Sequence, residues 1–153
     1  MNPESLICLE GKIYCTVTRY HRNVYVSFRE LVSYDDDTVN LYPTRNGITL
    51  NQDQYHKLLN EAEKLGRQVS GSPVGVPFGK TNVVDLTGNK TVSVFHGYTP
   101  TEETLYVLFE DMVKPEKKIY LSASQFMSWM EKREKVAEKI EWQTEELKKT
   151  ATT

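Results

Sequence analysis

Apolar and polar residues alternate with period two over Lys12 to Tyr20, where Ile13, Cys15 and Val17 share one face, which predicts a strand. His21-Arg22-Asn23 is a polar turn, and Val24 to Leu31 returns as a second strand with Val24, Val26 and Phe28 on one face. An acidic turn at Asp35-Asp36-Asp37 leads to an expected third strand near Val39 to Tyr42. After Pro43-Thr44-Arg45-Asn46-Gly47 a short fourth follows at Ile48-Thr49-Leu50. The period then changes to that of a helix from Gln52 to about Leu65, with Tyr55, Leu58, Leu59, Ala62 and Leu65 on one stripe and Gly66 as its expected stop.

The same grammar returns further along. Lys90 to Tyr98 reads as a strand, Thr99 to Glu103 as a hairpin loop, and Leu105 to Met112 as a strand parallel to Val24–Leu31 in composition. Lys114-Pro115-Glu116-Lys117-Lys118 takes the place of the segment before Gly47, and Ile119-Tyr120-Leu121 that of Ile48–Leu50; a counterpart of the third strand is shortened or absent. Asn51 with Gln54, and Ser122 with Gln125, are both capping-box pairs, in which side chains satisfy the first free amides of a helix. The second helix is expected over Ala123 to Lys149, about 40 Å long at 1.5 Å per residue, with its far end protruding or packed outside the small core. Phe126, Trp129, Met130, Val136, Ala137, Ile140 and Leu147 form its stripe; Trp142 lies off it as a candidate protein contact.

Ser70 to Gly79 is rich in Gly, Pro and Ser and reads as a linker. The expected organisation is therefore a first half at 1–69, a linker at 70–79 and a second half at 80–153. Neither half would bury much alone. The expected class is α+β: two curved antiparallel sheets, each backed by one helix, paired helix to helix as a pseudo-dimer within one chain.

Composition narrows the function. No apolar run reaches the length of a membrane span, and the first residues lack a secretory pattern. Cys8 and Cys15 suit free thiols in a reducing compartment. A net charge of −2 argues against a uniformly basic binder and leaves room for a local basic groove. His21, His56 and His96 have no metal-like spacing, and no catalytic set or cofactor motif is present. Gly75 to Thr81 has one residue too few between its glycines for a phosphate loop, and Pro77 removes an amide donor. A non-enzymatic protein without cofactor or metal is expected.

Arg19 to Glu30, the Gly47-Ile48-Thr49-Leu50-Asn51 joint and Tyr55 resemble the positive cofactor 4 family of transcriptional coactivators over about residues 11 to 65. The second half resembles it only through the internal repeat. The resemblance implies a four-stranded sheet plus helix, dimerising through its helices, that binds single-stranded DNA or melted duplex with little sequence preference. It implies base stacking at Tyr20, with His21 where lysine is usual and Arg22 beside it, and a nucleic-acid-facing cation at Arg29. Pro43, Arg45 and Gly47 match the basic loop, while the second stacking aromatic falls at Val32, leaving Tyr34 as its substitute. In the second half the matching positions are Tyr98, Lys114, Lys117 and Lys118, and Glu110 falls where Arg29 does.

Exposed aromatics and cations are the two ingredients of single-strand binding, and Tyr20, Tyr25, Tyr34, Tyr42, Tyr98 and Tyr106 are interleaved with Arg19, Arg22, Arg29, Arg45 and Lys114 to Lys118. The alternatives are tyrosines packing over their own hairpins, Arg29 in a cross-strand pair, and a solvated lysine loop. The expected partner is single-stranded DNA or melted duplex, with RNA not distinguished. The expected location is a nucleus or another DNA-containing reducing compartment, such as a viral replication site, rather than outside the cell. The second reading is a protein-interaction module, with a partner or self-association through the long C-terminal helix.

Overall fold

The computed structural model describes residues 6–33 and 41–151, and among them every strand belongs to one of two antiparallel sheets. The first runs Leu6–Glu10 (β1), Ile13–Tyr20 (β2), Asn23–Val32 (β3) and Tyr42–Leu50 (β4), in that spatial order, and is followed by the helix Gln52–Val69 (α1). The second runs Gly79–Thr87 (β5), Lys90–Tyr98 (β6), Glu103–Asp111 (β7) and Lys118–Ser122 (β8), followed by Ala123–Glu131 (α2) and Arg133–Ala151 (α3). The chain is thus the expected α+β pseudo-dimer of two sheets, each followed by a helix.

Pleating explains how each sheet divides its residues. Cys15 opposes Phe28, Val17 opposes Val26, and Phe28 opposes Ile48; all are fully buried on one face. In the second sheet Val92 opposes Phe109, and Phe109 opposes Ile119, on the same buried side. Phe28 and Phe109 hold equivalent positions and stack on each other at 4.9 Å and 22°. Trp129 of α2 closes the centre, edge-on to Phe28 at 5.8 Å and donating from Nε1 to Tyr55 Oη at 3.2 Å.

Both capping boxes form, with Gln54 N bonded to Asn51 Oδ1 at 2.8 Å and Gln125 N to Ser122 Oγ at 3.1 Å. Each capping glutamine also reaches into the other half: Gln54 Nε2 donates to Thr87 O at 2.9 Å and Gln125 Nε2 to Glu10 O at 3.3 Å. The helices cross over in the same sense. α1 packs chiefly on β5 and β6, α2 on β1 and β8, and α3 on β2 and β3. The two halves therefore share one core rather than owning one each.

Several expectations are corrected. β1 and β5 are strands that the alternation did not reveal. The expected fourth strand begins earlier, so that Pro43 to Gly47, read as a loop, belongs to β4; Val39 and Asn40 of the expected third strand lie outside the described residues. Pro43 fits there because β4 is an edge strand, where a missing amide costs no ladder bond. The second half lacks no strand. Gly66 does not stop α1, which continues to Val69; a Cβ on it would lie 2.7 Å from Met130 Sδ, so glycine marks close approach of α1 to α2. The long second helix breaks at Lys132, whose φ of −101° and ψ of 11° let α3 turn. The later part of the expected helix packs on the first sheet: Val136 in the first turn of α3 is fully buried, Gln143 Nε2 donates to Val17 O at 3.2 Å, one residue beyond the last β1–β2 pair at Leu6 and Thr16, and Leu147 is partly buried against the core.

Candidate nucleic-acid interface

Arg29 points from β3 to the face opposite the core and lies across β4 at Gly47, its cross-strand neighbour. A Cβ at Gly47 would sit 2.7 Å from Arg29 Nη1, so only glycine leaves room for the guanidinium there. Nη2 donates to Thr49 Oγ1 at 2.7 Å, and Thr49 Oγ1 is 2.9 Å from Ser27 Oγ. Partial burial lowers the pKa of Arg29 from its ordinary value.

The second half brings its cations to the same place. Gly88 and Asn89, at φ of 59° and 68°, form the tight turn before β6, which begins at Lys90. Lys90 Nζ donates to the Thr49 carbonyl. Burial pushes this ammonium below its ordinary value; Asp111 opposes that, while Lys117, Lys114 and Arg29 add to it. The β7–β8 loop is pinned by Asp111 Oδ1, which accepts from Val113 N at 2.9 Å and Lys114 N at 3.0 Å. Those amides, that of Lys114 first, hold the Asp111 carboxyl below its usual range. Met112 N donates to Asn89 O at 2.7 Å, tying the loop to the turn before Lys90.

The result is a pocket of about 490 Å³ at the seam of the two halves. Arg29 and Arg45 line it from the first half, and Lys90, Lys114 and Lys117 from the second, with Asp111 and Glu116 as the two carboxylates. Four of these cations, Arg29, Arg45, Lys114 and Lys117, are among the residues singled out in the sequence. Lys90 is not. It stands at a strand start with nothing in the alternation to mark it, and its partner is a backbone carbonyl in the other half.

From Arg29 the outward face of the first sheet continues through Ser27, Tyr25 and Asn23 on β3, alongside Tyr14, Thr16, Thr18 and Tyr20 on β2. Tyr20 is exposed at the far end, about six residues or roughly 20 Å from Arg29. It meets His21 edge-on at 4.0 Å, and His21 and Arg22 form the turn with φ of 49° and 64°. The hairpin tip and the pocket are thus opposite ends of one face. Tyr34 lies outside the described residues.

The second sheet's outward face differs. Glu110 stands in the register position of Arg29 and accepts from Lys80 Nζ at 3.0 Å. Phe95, Tyr106 and Tyr120 form an edge-on aromatic group there, with ring centroids 5.3 and 6.0 Å apart, and Lys118 Nζ lies 5.9 Å from the Tyr120 ring. Tyr98 does not join them. Counting from Cys15 and Val92, the register makes Gly97 the counterpart of Tyr20; Tyr98 shares its strand side with Val94 and His96. Its ring stacks on Phe78 at 4.7 Å, and Phe78 stacks on buried His96 at 4.2 Å.

Among the described residues no group of three or more His, Cys, Asp or Glu side chains could hold a metal, and no helix is long and apolar enough to cross a membrane. The fold is thus an α+β pair of four-stranded sheets with five cations gathered at their seam. Residues 7–61, from β1 through most of α1, match the model of the family described as Transcriptional Coactivator p15 (PC4). The second sheet, β5–β8, lies beyond that match. A search of curated proteins returned no match.

Proposed function

We propose that the protein is a non-enzymatic, largely sequence-independent binder of single-stranded DNA or melted duplex, acting in transcription or another process that opens DNA. One observation carries this reading. Cations from both halves converge on one pocket, and that pocket continues into a face of tyrosines and hydroxyls within the span that matches the coactivator family. Phosphates would be held at Arg29, Arg45, Lys90, Lys114 and Lys117, and bases would stack on Tyr25 and Tyr20, each base worth about 1–3 kcal/mol whatever its identity. Arg22 and His21 would meet the strand at the hairpin tip. Lys118 and Tyr98 would contribute from the second half's own surfaces. The reading places the protein in a nucleus or another DNA-containing compartment.

Tyr20→Ala is the test of stacking, because this ring is exposed and its loss removes little packing. Affinity for labelled oligothymidine is expected to fall about fivefold or more, in line with one lost stacking contact. Unchanged affinity would remove Tyr20 from the interface.

A second reading, a protein-interaction module, is favoured by the neutralised Glu110–Lys80 pair on the second sheet and by the exposed Trp142 on α3. It requires the second half to act without nucleic acid. Retained oligothymidine affinity after charge reversal at Lys114 and Lys117 would favour it.

A further inference from the structure

Along the outward face of the first sheet, charge is gathered at one end instead of being spread along a track. Between Arg29 and the hairpin tip, the outward positions of β2 and β3 are Tyr14, Thr16, Thr18, Tyr20, Asn23, Tyr25 and Ser27, none of them charged. A strand bound only through internal phosphodiesters carries one negative charge per linkage and is matched by evenly spaced cations. Here five cations face two carboxylates around a single pocket. Asp111 is already committed, since its Oδ1 accepts two backbone amides of its own loop. The guanidinium of Arg29 is held by Thr49 Oγ1 and the ammonium of Lys90 by the Thr49 carbonyl, so two donors are fixed toward one place before any ligand arrives. Such a concentration suits an anion of higher charge density than a diester. A phosphomonoester carries about −1.5 to −2 near neutral pH and presents three strong acceptor oxygens.

We infer that the seam pocket formed by Arg29, Arg45, Lys90, Lys114 and Lys117 is a phosphomonoester site, which anchors the phosphorylated end of a single strand while the adjoining bases lie on the tyrosine face. This rests on the nucleic-acid reading above and names the group that the same site selects. The chemistry is shared by a strand terminus and by a free mononucleotide, and the two sources separate in the test.

The experiment measures binding of the full chain to three labelled oligothymidines of one length: 5′-phosphorylated, 3′-phosphorylated, and hydroxyl at both ends. Thymidine monophosphate and inorganic phosphate serve as competitors. One of the phosphorylated strands is expected to bind about tenfold more tightly than the hydroxyl strand, the effect of one added charge-assisted contact set. That gain is expected to vanish in Lys117→Ala, an exposed loop position, and in Lys90→Gln, which retains a donor toward Thr49 O. Equal affinity for all three strands would overturn the inference and leave single-strand binding intact, as would a gain that survives both substitutions. Direct binding of thymidine monophosphate measured by calorimetry, with no binding of any strand, would retain the phosphomonoester site with a free nucleotide as its ligand and overturn the nucleic-acid reading. Absence of binding by every probe would overturn both.

Discussion

Thr49 serves both halves at once. Its hydroxyl orients Arg29 and its carbonyl receives Lys90, so one strand residue sets the geometry of the pocket. Gly47 is its complement, leaving open the space that the guanidinium crosses. Gly47→Ala is expected to keep the fold, because the end of the Arg29 side chain can move aside. It should weaken oligothymidine binding about threefold to tenfold, as loss of one oriented cation would. Anisotropy beside a thermal melt checks this, and wild-type affinity in the variant would detach Arg29 from binding. The two thiols also differ by environment. Burial raises Cys15 to about 12, so its reactive thiolate is scarce at pH 8, whereas Cys8 is exposed. Native protein should take up one equivalent of iodoacetamide quickly and a second only after unfolding, as mass spectrometry would record. At this scale the sequence was informative about Arg45, Lys114 and Lys117, cations in the two matching segments before Ile48 and Ile119, and about Arg29 through the family resemblance. It was silent on Lys90 and Thr49, because their roles arise from contacts across the seam that no local pattern encodes.

The elements were legible wherever one face is buried and the other is not. The alternation of β2, β3, β6 and β7 is clean for that reason, and both capping boxes could be read directly. β1 was obscured because its alternation is brief, with only Ile7 and Leu9 turned to the core. β4 was divided by Pro43 and Gly47, which resemble loop residues; an edge position tolerates the first and Arg29 requires the second. The break at Lys132 follows from the docking of α3 on the first sheet, which the continuous helical pattern hides. Helix packing gives two expected outcomes. Gly66→Ala would press a methyl toward Met130 and Met127, and flexible methionines should keep the loss near about 1 kcal/mol, the low end for overpacking. Trp129→Ala removes a fully buried ring at the centre and should cost about 3–5 kcal/mol in urea unfolding. A Trp129 variant with near wild-type stability would contradict the shared core.

Across the whole molecule, the exchange of helices is what the repeat alone did not disclose. Doubling was visible from the two strand-to-helix joints, yet a repeat is equally compatible with two halves standing side by side. The reciprocal bonds of Gln54 and Gln125, and the stack of Phe28 on Phe109, join them into one cooperative unit. Proteolytic cleavage within residues 71–78, the stretch between α1 and β5, should therefore leave two fragments that co-elute and unfold together. Fragments that separate under native conditions would contradict the interlocked core. The same interlocking makes the interface asymmetric, with cations at one seam and the paired Glu110 and Lys80 on the second sheet. The most direct test of the central claim is fluorescence anisotropy with labelled oligothymidine and a matched duplex over a range of salt concentrations. The expected result is micromolar or tighter affinity for the single strand and weaker binding of the duplex. Log K should fall linearly with log salt at a slope of about −2 to −3, as for three or four phosphates, and become shallower in Arg29→Ala with Lys117→Ala. No binding of the single strand at low salt would contradict it.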